Sequence, residues 1–220
     1  MNLRALVTAI AVTFVLLSVV PAYGQAYPAF EGFIGFSLLN NDYGTVRHNS
    51  PGVQFNFGFN PLRRVRLITD LSAQFHGSEM RFGGEDVRLN EYRIMFGPEF
   101  VFRNRSRATP FAHILVGYAR RSYSIPTGEW SCDYDGCSED QFTLVRDSGF
   151  ATAVGGGLDV DIRPNYGIRL IQFDYMRANL NRDYPDFVPD EGALPVINSW
   201  QKDYRISAGF YFRFGQRGNR

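Results

Sequence analysis

The residues that could support catalysis are few, and one group surrounds a histidine. His76 stands close to Ser78 and Glu79, which could supply a base, a nucleophile and a carboxylate to a hydrolytic site. Residues so close in sequence rarely form a triad, and no known motif surrounds them. The glycines at 155–157 lie within an alternating pattern with no helix after them, which excludes a phosphate-binding loop. We therefore predict no enzyme and no cofactor, with a hydrolase of lipid or protein as the least favoured function.

A larger set of reactive side chains consists of charges that alternate with apolar residues. The segment "VQFNFGFN" alternates Val53 and three phenylalanines with small and polar residues, a period of two that is typical of β-strands. If the polar faces line a closed barrel, the lumenal charges are Arg66, Asp70, Glu91, Arg93, Glu99, Asp159, Asp161, Arg169, Asp174, Arg205 and Arg213. Acids and bases are nearly balanced, so pairing would offset a desolvation cost of several kcal/mol per ion. His113 is expected to donate or accept hydrogen bonds in the same lumen.

Eight segments of this kind position the charges, and their connections alternate in length. The segments span 29–39, 52–60, 65–75, 89–102, 109–121, 149–162, 167–176 and 203–214. Short links lie at 61–64, 103–108 and 163–166, and long links at 40–51, 76–88, 122–148 and 177–202. Barrels of the bacterial outer membrane have short periplasmic turns and longer outer loops. The pattern predicts an all-β, eight-stranded antiparallel up-and-down transmembrane β-barrel in that membrane, in contact with its lipids.

A soluble barrel with an apolar ligand cavity is the alternative architecture. Glycines among the lumenal charges and phenylalanines on the apolar face favour a narrow polar lumen and a lipid-facing exterior. One segment does not alternate cleanly, because Arg169 is out of phase with Gln172 and Asp174. Either a bulge near Leu170 shifts the phase, or Arg169 lies at the periplasmic rim and reaches lipid head groups.

The N-terminus has the layout of a secretory signal peptide. The positive start "MNLR" precedes the apolar run "ALVTAIAVTFVLLSVV" and the small-residue segment "PAYG". We place cleavage after Gly24, with Ala26 as the alternative, which gives a signal peptide at 1–24, a barrel at 25–214 and a polar tail at 215–220. The net charge of +1 gives no indication of a nucleic-acid partner.

Two features of the long links could recognise other molecules. An exported chain meets an oxidising compartment, so Cys132 and Cys137 are predicted to form a disulfide, with metal binding together with Asp133 as the less favoured alternative. The last two long links are acidic, through Glu129, Asp133, Asp135, Glu139, Asp140, Asp147, Asp183, Asp186, Asp190 and Glu191. These acids either keep the loops soluble or form a contact surface for an extracellular ligand.

The C-terminal segment "SAGFYFRF" resembles the sorting signal of outer-membrane barrels. Ser207, Gly209, Phe212 and Phe214 match that pattern in order, which implies recognition by the barrel-assembly machinery. The segments "YRIMFGPEFVF", "TPFAHILVGYAR", "FATAVGGGLDVDI" and "IRLIQFDYMRANL" resemble strands of the small OmpA-type, or porin-like, barrel family over about residues 27–214. The resemblance implies a fold more than an activity. We expect a structural or surface-interaction role with a lumen plugged by ion pairs; a narrow porin-like channel is the alternative.

Overall fold

The computed structural model describes residues 27–42, 47–82, 85–104, 106–126, 131–133, 136–138, 142–183 and 200–217, and the predicted signal peptide lies outside them. The strands are β1 (Tyr27–Asp42), β2 (Arg47–Leu62), β3 (Val65–Phe82), β4 (Glu85–Val101), β5 (Ala108–Pro126), β6 (Ser131–Asp133), β7 (Gly136–Ser138), β8 (Phe142–Arg163), β9 (Tyr166–Asp183) and β10 (Gln201–Arg217). Residues Pro28–Gly215 form one compact unit. Within the described residues, no helix is long and apolar enough to cross a membrane.

Eight of these strands close into an antiparallel barrel. Its order is β1–β10–β9–β8–β5–β4–β3–β2, so each strand pairs with its neighbours along the chain, and the first strand meets the last. Side chains alternate between the two faces as the period of two predicts: Phe55 and Phe57 point outward, whereas Gln54 and Asn56 are buried. The predicted fold class is confirmed.

The connections differ at the two ends of the barrel. Arg63 and Arg64 join β2 to β3, and Pro164 and Asn165 join β8 to β9, as tight turns. At the opposite end, the strands continue through most of the predicted long links 40–51 and 76–88, leaving only 43–46 and 83–84 between them. Polar pairs sustain this extension: Asn40 Nδ2 donates to Asn49 Oδ1 over 2.8 Å. The alternating pattern predicts strands that are too short at this end, because the added residues are mostly polar and do not alternate with apolar ones.

A bulge in β9 explains why Arg169 is out of phase with Gln172 and Asp174 in the alternating pattern. Leu158 of β8 pairs with Ile171 and Asp159 pairs with Arg169, so Leu170 has no partner in the register. Leu170 and Ile171 are both exposed on the outer wall, whereas Arg169 is only 3% exposed and lies in the lumen. The predicted bulge near Leu170 is confirmed, and the alternative with Arg169 at the rim is wrong.

Glycines allow close approach where β1 meets β10. A Cβ atom on Gly35 would overlap the carbonyl group of Ala208, and one on Gly209 would overlap the backbone of Ile34 and Gly35. Only glycine fits at these two positions of the seam. Beyond it, β10 runs on to Arg217, so the first residues of the predicted polar tail continue the strand.

Candidate functional site

The inward-facing charges make up the candidate site, and they lie at three levels of the barrel. Arg66, Asp70, Glu91, Arg93, Glu99, Asp159, Asp174 and Arg205 are buried, while Asp161 and Arg213 are half-buried near the short turns. Every one of these predicted side chains therefore points into the lumen. We call the levels the lower, middle and upper clusters, counted from the end with the short turns.

The lower cluster consists of Glu31, Arg66, Glu99, Asp159 and Arg169. The Nη1 atom of Arg66 lies 2.6 Å from Glu31 Oε2, and its Nε donates to Glu99 Oε1 over 2.7 Å. Arg169 donates two hydrogen bonds to the carboxylate of Asp159, over 2.7 and 3.2 Å. Such two-point contacts fix geometry as well as charge.

The lower cluster has almost no free space. A Cβ atom on Gly58 would come within 2.5 Å of Arg66 Cδ, so the absence of a side chain there makes room for the arginine. The guanidinium of Arg169 lies over the rings of Phe33 and Phe111, 4.4 and 4.1 Å from their centres. A cavity of about 10 Å³ remains among these residues, which is at or below the roughly 10–15 Å³ that one water requires.

The middle cluster is centred on Arg205, which binds two carboxylates from strands on different sides of the barrel. Its Nη1 and Nη2 atoms donate to the two oxygens of Asp70, both over 2.9 Å, and its Nε donates to Asp174 Oδ2 over 2.8 Å. His113 lies between carboxylates, with Nε2 2.9 Å from Asp174 and Nδ1 3.3 Å from Glu99. His113 thereby connects the middle cluster to the lower one, in the lumenal position that the sequence predicted.

The upper cluster contains two arginines that share two acids. Arg121 Nε donates to Glu91 Oε2 over 2.5 Å, and Arg121 Nη2 donates to Asp203 Oδ2 over 3.0 Å. Arg93 forms ion pairs with the same Glu91 and Asp203. All four side chains are buried. Each acid therefore has two cationic partners, and each arginine has two anionic ones.

The barrel end with the short turns carries a further set of contacts. Arg213 Nη1 lies 2.8 Å from Asp161 Oδ1, and Tyr211 donates its hydroxyl to the same Asp161. Arg103, from the turn after β4, pairs with Glu31. Partial burial lowers the pKa of Arg103 from its ordinary value, with Glu31 acting in the opposite direction. These contacts cover the lower cluster from below.

Apolar side chains fill the lumen between the charged residues. The alternating pattern does not indicate them, because it assigns apolar residues to the outer wall. Leu39, Ile68, Met95, Leu115 and Met176 belong to one buried cluster. The Nη1 atom of Arg93 lies 3.2 Å from the sulfur of Met176. The interior is thus packed with both apolar and ionic groups, as expected for a barrel of eight strands.

Four charged residues of the lumen were missed or misplaced from the sequence. Glu31, Arg121 and Asp203 were not predicted, although each has the same parity as other inward residues of its strand. Asp147 was expected among the solvated acids of the link 122–148, but it lies within β8 and is fully buried. The prediction for Asp147 is wrong because β8 begins at Phe142, well before its apolar pattern becomes regular.

Other predicted site residues are placed only in part. Cys132 and Cys137 are direct partners in the β6–β7 hairpin, a register in which opposite Cβ atoms of antiparallel strands are about 4.5–5.5 Å apart. Their disulfide stays a prediction. The side chains of His76, Ser78 and Glu79 lie outside the described residues, as do Glu129, Asp135, Glu139, Asp140, Asp186, Asp190 and Glu191. In β10, Ser207 is buried and Phe212 and Phe214 point outward.

Several solved structures are similar to this chain. Neisserial surface protein A is 12% identical with a TM-score of 0.61, and the match covers 86% of this chain and 99% of that one. Ail of Yersinia pestis, in complex with the heparin analogue sucrose octasulfate, is 15% identical over 87% and 100% of the two chains, with a TM-score of 0.52. OprG of Pseudomonas aeruginosa is 11% identical over 88% and 99%, with a TM-score of 0.51. No family model and no curated protein matches the chain.

At these identities the likeness establishes the fold, that of the small eight-stranded barrels of the bacterial outer membrane. The outer wall agrees with that environment, since Ile34, Phe36, Phe96, Val154 and Phe210 are each more than half exposed on it. A closed wall of such side chains requires a hydrocarbon solvent. The resemblance to the OmpA-type barrels is confirmed at the level of the fold, and the chain is placed in the bacterial outer membrane.

Proposed function

We propose that this outer-membrane barrel has a structural or surface-interaction role and that paired charges plug its lumen. The observation that carries the proposal is Arg205, which is fully buried at mid-height and bridges Asp70 to Asp174 across the interior. Moving this arginine aside would leave two buried carboxylates without their cation, which is strongly unfavourable. The small cavity of the lower cluster also supports a closed lumen. No catalytic activity forms part of the proposal.

Single-channel recording tests the plug directly. The purified barrel is inserted into a planar lipid bilayer, and the current is recorded at fixed voltage. We expect no discrete conductance steps from the wild-type protein. A porin of known conductance, recorded in the same bilayer, is the positive control. Regular steps from the folded wild-type protein would contradict the plug.

A narrow porin-like channel is the second candidate, and the upper cluster is the observation in its favour. Since Arg93 and Arg121 share Glu91 and Asp203, one pair can separate while each group keeps a partner. Such an exchange would open a path for water at low cost. This candidate predicts steps from the wild-type protein that change in size when Arg121 is replaced by methionine.

The surface role that we propose belongs to the acidic segments 127–141, between β5 and β8, and 184–199, between β9 and β10. Their carboxylates would attract divalent cations or a basic protein surface. The polyanionic ligand of the Ail structure has the wrong charge for such loops. Deleting residues 127–141 or 184–199 should abolish binding in a pull-down from which the intact barrel captures a basic partner. Unchanged capture by both deletion variants would exclude the loops as the contact surface.

We also propose that β10 is the segment that the assembly machinery recognises. Phe214 is 56% exposed on the outer wall, where an aspartate would place a charge in the membrane boundary. Phe214→Asp should therefore reduce the amount of heat-modifiable barrel in outer-membrane fractions. Gln216→Asp, two residues further on, is the control and should assemble normally. Wild-type assembly of Phe214→Asp would count against the signal.

A further inference from the structure

A groove of about 470 Å³ crosses the outer wall of the barrel over β1 to β5. Its volume lies within the range of about 300–1,000 Å³ that is typical of small-molecule sites. The residues that line it include Ile34, Val53, Leu71 and Ile94, all of which point away from the lumen. Because this wall faces the bilayer, lipids are the molecules in contact with the groove.

Two rows of register partners form the groove. The first row runs across β5, β4, β3 and β2 through Arg120, Tyr92, Ala73 and Val53. The second runs from β5 to β1 through Tyr118, Ile94, Leu71, Phe55 and Ile34. Ala73 is the smallest side chain of either row, and it leaves a gap between larger neighbours. The rows descend across the membrane because the strands of a barrel are tilted by about 35–45°.

Arg120 marks the upper end of this groove. It is exposed on the outer wall, on the side of the long links, and the next row above it mixes polar and aromatic side chains, with Ser122, Asn90 and the exposed Phe75 as register partners. Among the side chains that the structure describes, no carboxylate forms an ion pair with Arg120. A charged guanidinium on a lipid-facing wall is costly at the bilayer centre, and its natural place is at the head-group level.

The neighbours of Arg120 fit the same level of the membrane. Tyr92 lies beside the arginine and Tyr118 immediately below it, and they are 48% and 47% exposed on the outer wall. Tyrosines concentrate at membrane interfaces, where the ring is in hydrocarbon and the hydroxyl is among polar head groups. An arginine with one tyrosine beside it and one below it is suited to a lipid whose phosphate lies above its acyl chain. The guanidinium can bind the phosphate through parallel N–H donors, and the tyrosine rings can contact the chain.

We propose that this groove binds one acyl chain of a phosphorylated lipid of the outer leaflet, whose phosphate group pairs with Arg120. The site depends on the placement of the barrel in the membrane and not on the lumenal clusters. Conductance of the lumen, present or absent, therefore leaves it unaffected.

Native mass spectrometry of the detergent-purified barrel tests the site, with diphosphorylated lipid A and its dephosphorylated form as probes. We expect Arg120→Gln to weaken binding of diphosphorylated lipid A on the order of five-fold, the effect of one basic residue near an anionic lipid surface. Ala73→Leu and Ala73→Phe fill the gap and should weaken binding of both probes. Arg177→Gln is the matched control, since Arg177 is an exposed, outward arginine of β9 outside the groove.

Heat-modifiable gel mobility verifies that each variant is folded before binding is compared. Equal binding of the two probes by the wild-type protein would overturn the phosphate contact. Binding that neither Arg120→Gln nor Ala73→Leu changes would overturn the groove. A dimer that dissociates in Ala73→Phe while lipid binding stays constant would assign the groove to a second copy of the chain and overturn the proposal as well.

Discussion

Arg205 illustrates how a single residue of this barrel depends on partners that are distant in the chain. Its carboxylate partner Asp70 is separated from it by 135 positions, and Asp174 by 31. All three are fully buried, so the pairing energy is weakly screened and an unpaired member is strongly disfavoured. The residue is therefore the most sensitive point of the middle cluster.

Replacing Arg205 by methionine should lower the free energy of unfolding by about 3–5 kcal/mol, because Asp70 and Asp174 lose their cation. Denaturant titration of the barrel in detergent micelles measures the change. Lys202→Met is the control from the same strand, where an exposed lysine is replaced and a change within about 0.5 kcal/mol is expected.

Neutralising the two acids together with the arginine should recover most of that loss. The variant with Asp70→Asn, Asp174→Asn and Arg205→Met has no unpaired charge in the middle cluster. If this triple variant is as unstable as Arg205→Met alone, the loss of stability in Arg205→Met comes from lost packing and not from unpaired charge.

Strand parity predicted which residues face the lumen, but not which residues they bind. Arg66 and Asp70 were found because they alternate with Leu67 and Leu71 on a polar–apolar strand. Glu31 was missed because β1 is apolar on both faces, with Phe33 and Leu39 buried inside and Ile34 and Phe36 outside. Partners remained unknown because ion pairs across the lumen depend on the registers of several strands together.

At the level of strands, the bulge in β9 preserves the inward position of three polar residues. If Leu170 were part of a regularly alternating strand with no bulge, either Arg169 or the pair Gln172 and Asp174 would point outward. The sequence could locate this irregularity, because the parity changes there. It could not give the strand lengths, since the polar extensions beyond the membrane have no apolar face to identify them.

Deleting Leu170 should be tolerated, because Arg169, Ile171 and Gln172 then alternate regularly on their present faces. Deleting Phe173 from the same strand should prevent assembly, because it turns Asp174 toward lipid and flips the strand beyond it. The yield of heat-modifiable barrel after refolding in detergent compares the two deletions. Equal yields would contradict the assigned bulge.

Considered as a whole, the molecule is an ionic and apolar core enclosed by a hydrocarbon-facing wall. Charges that would be screened on a protein surface are here separated from solvent ions by packed side chains, such as Leu115 and Ile68. Buried pairs are screened much less by salt than exposed ones. The lumenal clusters should therefore behave alike in dilute and concentrated salt.

The loss of stability in Arg205→Met should thus be the same at about 0.1 M and 1 M sodium chloride, although the Debye length falls from about 10 to 3 Å. Denaturant titration of wild-type and variant protein at both salt concentrations gives the comparison. A loss that shrinks markedly at high salt would mean that water and ions reach Arg205, and would favour the channel.

The seam between β1 and β10 also sets the order of events during assembly. Its two strands are the first and the last of the barrel along the chain, so the closing contact depends on the last barrel strand to be synthesised. Until then β1 has one unpaired edge, and unpaired edges recruit strands from other chains. Export must therefore deliver β10 before the barrel can close. A chain truncated before β10 can form only an open sheet, and each of its two edge strands then has unpaired backbone groups that can bind strands of other chains.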